Sequence, residues 1–243
     1  MNITLACKLK AEDLTASQLY DRAANTVGRL ADVQRHFQRW WSMPSKVEKG
    51  RTAFDDRVRT IAMIQANRDR FEQKYPGVPS SLSSGVLLTN AQSEDEWARR
   101  GRVALAINPG AGDVRLEISR MEEVYSSPSD VTWSLLKAMT LDERVTFAKT
   151  DVQQGSGKDR KLYSLHCAVF QHREILGWMG YVNQPVTAEQ VPDAARVERH
   201  GEGTLIMATR EVDLFDAHSV ERVNRVEMTL AELGLLPVTD PGI

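Results

Sequence analysis

The chain has 243 residues, 42% of them hydrophobic, which is enough for one substantial core; a single domain spanning 1–243 is expected, with a soft internal boundary near 78–84. A formal charge of −2 supports neither a basic nucleic-acid grip nor a disordered polyanion. The charge is uneven, however: residues 1–80 hold 14 Lys/Arg against 9 Asp/Glu, and the remainder 17 against 24, so the acidic later part should repel phosphate and attract a basic partner surface.

Ile3 to Leu9 reads as a strand, and the N-terminus shows no basic leader followed by an apolar segment of secretory length, so a cytoplasmic location is expected. No later run approaches the length of a membrane span. Asp13-Leu14-Thr15 offers caps for a helix running towards Phe37, with Leu19, Ala23, Val27 and Leu30 on one face. Phe37, Trp40 and Trp41 form an aromatic cluster ahead of Pro44. A second amphipathic helix is predicted from about Thr52 to Tyr75, with Phe54, Val58, Ile61, Ile64 or Met63, and Phe71 inward, stopped by Pro76-Gly77.

After the loop from Val78 to Ser84 the pattern turns to strands at Val86-Leu87-Leu88, Val103 to Ile107 and Val114 to Ile118, the last two joined by a hairpin-like loop from Asn108 to Asp113. A helix follows from Pro128 to Met139 with Asp130 as its cap. Strands are then expected at Arg144 to Thr150, Tyr163 to Phe170, Ile175 to Val182, Ala195 to Glu198 and Thr204 to Thr209. Asp216 caps a last helix whose Val220, Val223, Val226 or Glu227, Leu230 and Leu233 form an apolar stripe ending at Gly234. The fold class is α+β: a mixed, largely antiparallel sheet packed by several amphipathic helices.

Several fragments imitate chemistry. Gly155-Ser156-Gly157-Lys158 lacks the earlier glycine of a phosphate-binding loop and the hydroxyl residue after its lysine. On the strand expected at 163–170, His166 and Cys167 would point to opposite faces and could not form an imidazole–thiolate pair. Cys7 and Cys167 read as isolated buried thiols, and His36, His166, His172, His200 and His218 have no ligand spacing, so neither metal nor cofactor is expected. Glu72-Gln73-Lys74 and Asp159-Arg160-Lys161 each match an acidic-x-Lys half of a nuclease site, a pattern common enough to arise by chance. Trp40, Trp41, Trp133 and Trp178 read as core. Trp97 follows Glu94-Asp95-Glu96 at a helix start and reads either as a half-packed tryptophan or as an aromatic anchor ringed by charge.

Gly177-Trp178-Met179-Gly180-Tyr181, Pro192 to Glu198, Gly203 to Met207, Phe215-Asp216, Val223 to Val226 and Gly234 to Pro237 follow one another in an order that resembles the immunity protein 52 family, most clearly over 165–237. Such proteins guard bacteria against their own polymorphic toxins. The resemblance implies an α+β, non-enzymatic toxin inhibitor belonging to a type VI secretion or related polymorphic-toxin system. Its expected partner is the C-terminal restriction-endonuclease-like nuclease domain of a secreted effector, with no direct contact to nucleic acid or membrane. It carries over no catalytic residue. It leaves open whether the toxin's active site is plugged, its DNA mimicked, or its oligomer blocked. Glu94, Asp95, Glu96 and Trp97, with Glu122, Glu123 and Tyr125, are the candidate partner-binding residues, since each segment joins carboxylates to an aromatic ring; solvated charge clusters are the alternative for both. The rival functions are a small metal-dependent hydrolase or nuclease built on an acidic-x-Lys pair, and an intracellular scaffold unrelated to toxins.

Overall fold

The computed structural model describes residues 1–43, 50–79 and 85–239, so the expected features at Pro44 and at 80–84 lie outside the described residues. The fold is α+β, with seven α-helices among the described residues and antiparallel pairing between the named strands whose registers are resolved. Contacts divide the chain into two compact units, Cys7–Ser126 and Met1–Ala6 with Ser127–Ile243.

Strand β1 (Asn2–Leu9) enters the Cys7–Ser126 unit at Cys7. Helix α1 (Ala16–Ala31) starts at a capping box: Thr15 Oγ1 accepts the Gln18 N–H, and the Gln18 side chain accepts the Thr15 N–H at 2.9 Å. Leu19, Ala23 and Leu30 are buried as their spacing predicts, while Thr26 takes the inward place expected of Val27. A 3₁₀ turn at Arg35–Phe37 leads into β2 (Trp41–Ser42), which pairs with β3 (Thr52–Ala53).

Helix α2 (Arg57–Lys74) corrects the expected amphipathic stripe. It begins five residues later than Thr52, because Thr52 belongs to β3 and Asp56 caps the Arg59 N–H. Thr60 and Ile64 are its buried residues, and Val58 is 81% exposed. Strand β4 (Val86–Thr89) and α3 (Glu94–Arg99) precede the hairpin β5 (Ala104–Asn108) and β6 (Asp113–Ile118), and α4 (Met121–Val124) follows. The sheet order here is β6-β5-β4-β2-β3, with Leu105 opposite Leu116 and Val86 opposite Ile107. Period-2 alternation buries Leu105, Ile107, Val114, Leu116 and Ile118. Gly112 closes the hairpin at φ +67°, where a side chain would strike the Leu9 carbonyl oxygen at 2.5 Å.

In the second unit, α5 (Pro128–Met139) starts with proline at its first position, and its N-cap is Ser127 instead of the expected Asp130. Asp130 sits in the first turn and accepts the Ser127 hydroxyl at 2.6 Å. Strand β7 (Val145–Gln154) is followed by β8 (Lys161–Leu162) and α6 (Tyr163–His166), so the strand expected at 163–170 is instead one helical turn and irregular chain. Its register is fixed from outside: Asp151 accepts the Ser164 N–H at 3.1 Å and Tyr163 Oη donates to Asn224 at 2.9 Å. Strands β9 (Met179–Val182), β10 (Arg196–His200) and β11 (Gly203–Met207) and helix α7 (Ala217–Glu232) complete the unit. Its strand order is β10-β11-β9-β7, with β8 on β7 and the charged β10 outermost.

The strand expected from Ile175 begins only at Met179, because Gly177 turns the chain at φ +70°. There the Trp178 N–H donates to the Thr150 carbonyl and the Thr150 N–H to the Leu176 carbonyl, both at 3.1 Å. Trp178 is 2% exposed and its indole N–H donates to the Thr209 carbonyl at 2.9 Å. The Gly-Trp-Met-Gly-Tyr motif is therefore a buried architectural joint and not the continuous strand that its apolar character suggests.

Candidate partner-binding site

Both candidate segments lie in the Cys7–Ser126 unit. Helix α3 forms because Ser93 caps the Glu96 N–H, and because Glu94, Asp95 and Glu96 in its first turn complement the positive end of the helix dipole. Trp97 is half-buried and its indole N–H donates to the Val103 carbonyl at 2.8 Å. The guanidinium groups of Arg51 and Arg102 each stand 5.2 Å from the centre of its ring, within cation–π range. Glu94 joins the same two arginines, at 3.0 Å to Arg51 and 2.7 Å to Arg102. Arg51 is anchored further by the carbonyls of Ala91 and Ser93. Glu96 pairs with Arg100 at 2.7 Å, whereas Asp95 is exposed.

The second segment is brought against the first by Arg120. Its guanidinium forms an ion pair with Glu123 and also donates to the Ala98 carbonyl of α3 at 3.3 Å. The adjoining Ser119 N–H donates to the Gly101 carbonyl at 2.6 Å. Glu122 and Glu123 are exposed, and the hydrogen bond from Arg120 holds the Glu123 carboxyl below the usual carboxylate range. Among the described residues, the non-glycine residues with positive φ are Arg102, at +48°, and Arg120, at +59°. Both arginines hold a candidate carboxylate, and a left-handed conformation costs a non-glycine residue about 1–2 kcal/mol.

Tyr125 is corrected from an exposed anchor to a core residue. It is 3% exposed, lies parallel to Phe37 with ring centres 6.1 Å apart, and meets the edge of His36 at 5.6 Å. Burial drives its phenol far above the ordinary range. The α3 segment Glu94 to Trp97 and the α4 segment with Glu122 and Glu123 are thus joined through Arg120, whereas Tyr125 packs in the core against Phe37 and His36.

The other candidate chemistries are placed as follows. Lys161 donates to the Leu214 carbonyl at 3.0 Å and lies 4.8 Å from the centre of the Phe215 ring, so the Asp159–Lys161 pair has its lysine committed to structure. Glu72 and Lys74 lie exposed at the end of α2. His166 belongs to α6, not to a strand, and its Nδ1 lies 3.0 Å from both the Leu162 N–H nitrogen and the Leu162 carbonyl oxygen, which replaces the opposite-face argument for its separation from Cys167. Cys7 is buried, Cys167 is half-buried, and burial pushes the Cys167 thiol up. Among the described residues, no group of three or more His, Cys, Asp or Glu side chains is arranged to hold a metal ion. Nor is any described helix long and apolar enough to cross a membrane.

Two polar residues of consequence stand outside these candidates. Glu227 is 1% exposed on α7, and the only signal for it in the sequence is its place beside Val226 on the inward stripe. Asn90 is fully buried, and its side-chain amide donates to the carbonyls of His36 and Arg100 at 3.4 and 3.2 Å. No local pattern marks it.

No protein-family model matches the chain, and no curated protein does. A solved structure named "Pseudomonas aeruginosa T6SS protein PA0821" is similar with a TM-score of 0.49 and 12% sequence identity, covering 94% of this chain and 72% of that one. That likeness is too slight to assign a function.

Proposed function

We propose that this chain is an immunity protein, a non-enzymatic inhibitor that binds and neutralises a cognate nuclease toxin domain in the cytoplasm of the cell that makes both. The motif series from Gly177 to Pro237 supports the family reading. The observation that carries the binding reading is the pair of left-handed arginines: Arg102 holds Glu94 beside the half-open ring of Trp97, and Arg120 holds Glu123 against the adjoining Ala98 carbonyl. Backbone strain is retained where surrounding structure imposes it, and it gathers at binding sites. Tryptophan and arginine are also the residues that most often dominate the energy of a protein interface.

The alternation of sign in the patch bears on mechanism. Arg51, Arg100, Arg102 and Arg120 interleave with Glu94, Glu96 and Glu123, so the face does not present an unbroken row of negative charge. It suits a protein surface of mixed charge better than it imitates a DNA backbone.

The test is co-expression with the C-terminal domain of any toxin-like effector encoded beside this gene. The wild-type chain should co-purify with that domain and protect cells from it, and Trp97→Ala should weaken the complex about tenfold or more. Failure of the wild-type chain to bind or protect would overturn the reading. Undiminished binding by Trp97→Ala would remove the patch from it.

A further inference from the structure

Beside this mixed-charge patch, within the same unit, lies a cavity of about 430 Å³ lined by Arg35, His36, Gln38, Arg39 and Arg100. We propose that this cavity is an oxyanion site that takes a phosphate group, either free or as the terminal monoester of a small ligand.

Three of the five lining residues are arginines and none is a carboxylate. Glu96, reaching from α3, offsets only Arg100. Arg35 and Arg39 are exposed, and among the described residues neither forms an ion pair; Arg39 rests over Trp41, 5.8 Å from the ring centre. Uncompensated guanidinium groups gathered around a concavity attract an anion, and their planar forks match the oxygens of phosphate.

The cavity is also built on a rigid support. Arg35 and His36 lie on the 3₁₀ turn, and Arg100 caps the C-terminus of α3, on a different part of the chain. The buried Asn90 side chain holds both through their carbonyls, and the Arg100 guanidinium returns a bond to the Asn90 carbonyl at 2.9 Å. Two halves of a cation cluster, mutually repulsive on their own, are thereby fixed at a set separation before any ligand arrives. His36 also lines the cavity, and its Nδ1 is buried without a hydrogen-bond partner, so the ring is a reporter in the cavity wall and not a direct ligand. Burial, reinforced by Arg35 and Arg100, holds this imidazole below its usual range.

The experiment uses the full chain without any toxin, so its outcome is separate from the test of the immunity function. Inorganic phosphate, adenosine 5′-monophosphate and chloride at matched ionic strength are titrated separately, with the melting temperature and the His36 ring resonance followed by NMR. Phosphate should raise the melting temperature saturably and move the His36 resonance, while chloride should do neither. The nucleotide arm distinguishes the source: an effect from phosphate alone assigns a site for the free ion, and an effect from both assigns one for monoesters. The double variant Arg35→Gln with Arg39→Gln should bind about tenfold or more weakly. The single Arg35→Gln variant, which removes only an exposed side chain, gives the same comparison in an independently folded protein. Equal responses to phosphate and chloride, an unmoved His36 resonance, or undiminished binding by folded variants would overturn the proposal.

Discussion

Glu227 Oε1 accepts the backbone N–H of Gly177 at 2.9 Å, and the same oxygen takes the Leu176 N–H at the same distance, so a buried carboxylate on α7 closes the turn of the Gly-Trp-Met-Gly-Tyr joint. The turn cannot supply partners for these N–H groups from its own strand, because Gly177 leaves the ladder at φ +70°. A side chain from the far end of the sequence satisfies them instead.

Burial raises the Glu227 pKa above its ordinary 4.5, against the opposing pull of the Gly177 N–H, Tyr163 and the Leu176 N–H. The folded chain therefore holds this proton more tightly than the unfolded chain. The resulting stability is fully present below about pH 4.5 and declines as pH rises through the elevated folded value. Glu227→Gln keeps an acceptor oxygen and removes the titration, so it should gain on the wild type as pH increases from 4.5, with the difference levelling off once the wild-type carboxyl is ionised. Chemical denaturation of both proteins across pH 4.5 to 8 measures this difference. Parallel stability profiles would show that Glu227 titrates alike in the folded and unfolded chains.

Trp178→Ala removes a ring that is 2% exposed and leaves the Thr209 carbonyl without its indole donor. A loss of about 3–5 kcal/mol is expected from equilibrium unfolding. A melting curve close to wild type would contradict its place in the core.

Gly177 and Gly234 have nearly the same φ, at +70° and +71°, but different surroundings. A Cβ at 177 would lie 2.0 Å from the Thr150 carbonyl oxygen, whereas a Cβ at 234 meets nothing within 4 Å. Gly234→Ala should cost about 1–2 kcal/mol from backbone strain alone, and Gly177→Ala distinctly more. Equal losses in urea unfolding would mean that the contact with Thr150 is unimportant.

If the proposed inhibitor function holds, reversing Glu122 and Glu123 to Lys should slow association with the proposed toxin partner and weaken that complex, while the melting temperature stays nearly constant, because both side chains are exposed. Stopped-flow association at two salt concentrations is the measurement. An unchanged rate and salt dependence would place the contact away from α4.

Much of the α+β fold is legible in the sequence because its signals are local. The Thr15–Gln18 capping pair, the β5–β6 alternation and the Asp216 cap each lie within a few residues of what they control. Tyr163 to Phe170 was misleading because its alternation suggests a strand, whereas hydrogen bonds to Asp151 and Asn224 fix a helical turn. In α2, Val58 satisfies helical spacing, but no described element covers it. The acidic segments of the candidate site are equally visible. Their union through Arg120 and Ala98, and the stacking of Tyr125 on Phe37 far earlier in the chain, depend on tertiary contacts with no local signature.

The outermost strand of the second unit's sheet has a bearing on how other proteins can approach it. β10 carries Arg196, Glu198, Arg199 and His200, with Glu198 bound to both Lys137 and Arg196 and the Arg199 guanidinium turned onto the Gly201 carbonyl. A foreign strand seeking to extend the sheet would have to align against this charged, self-engaged border, an arrangement that discourages edge-to-edge aggregation. This border therefore disfavours β-augmentation along β10 and works against polymerisation of the chain through that edge.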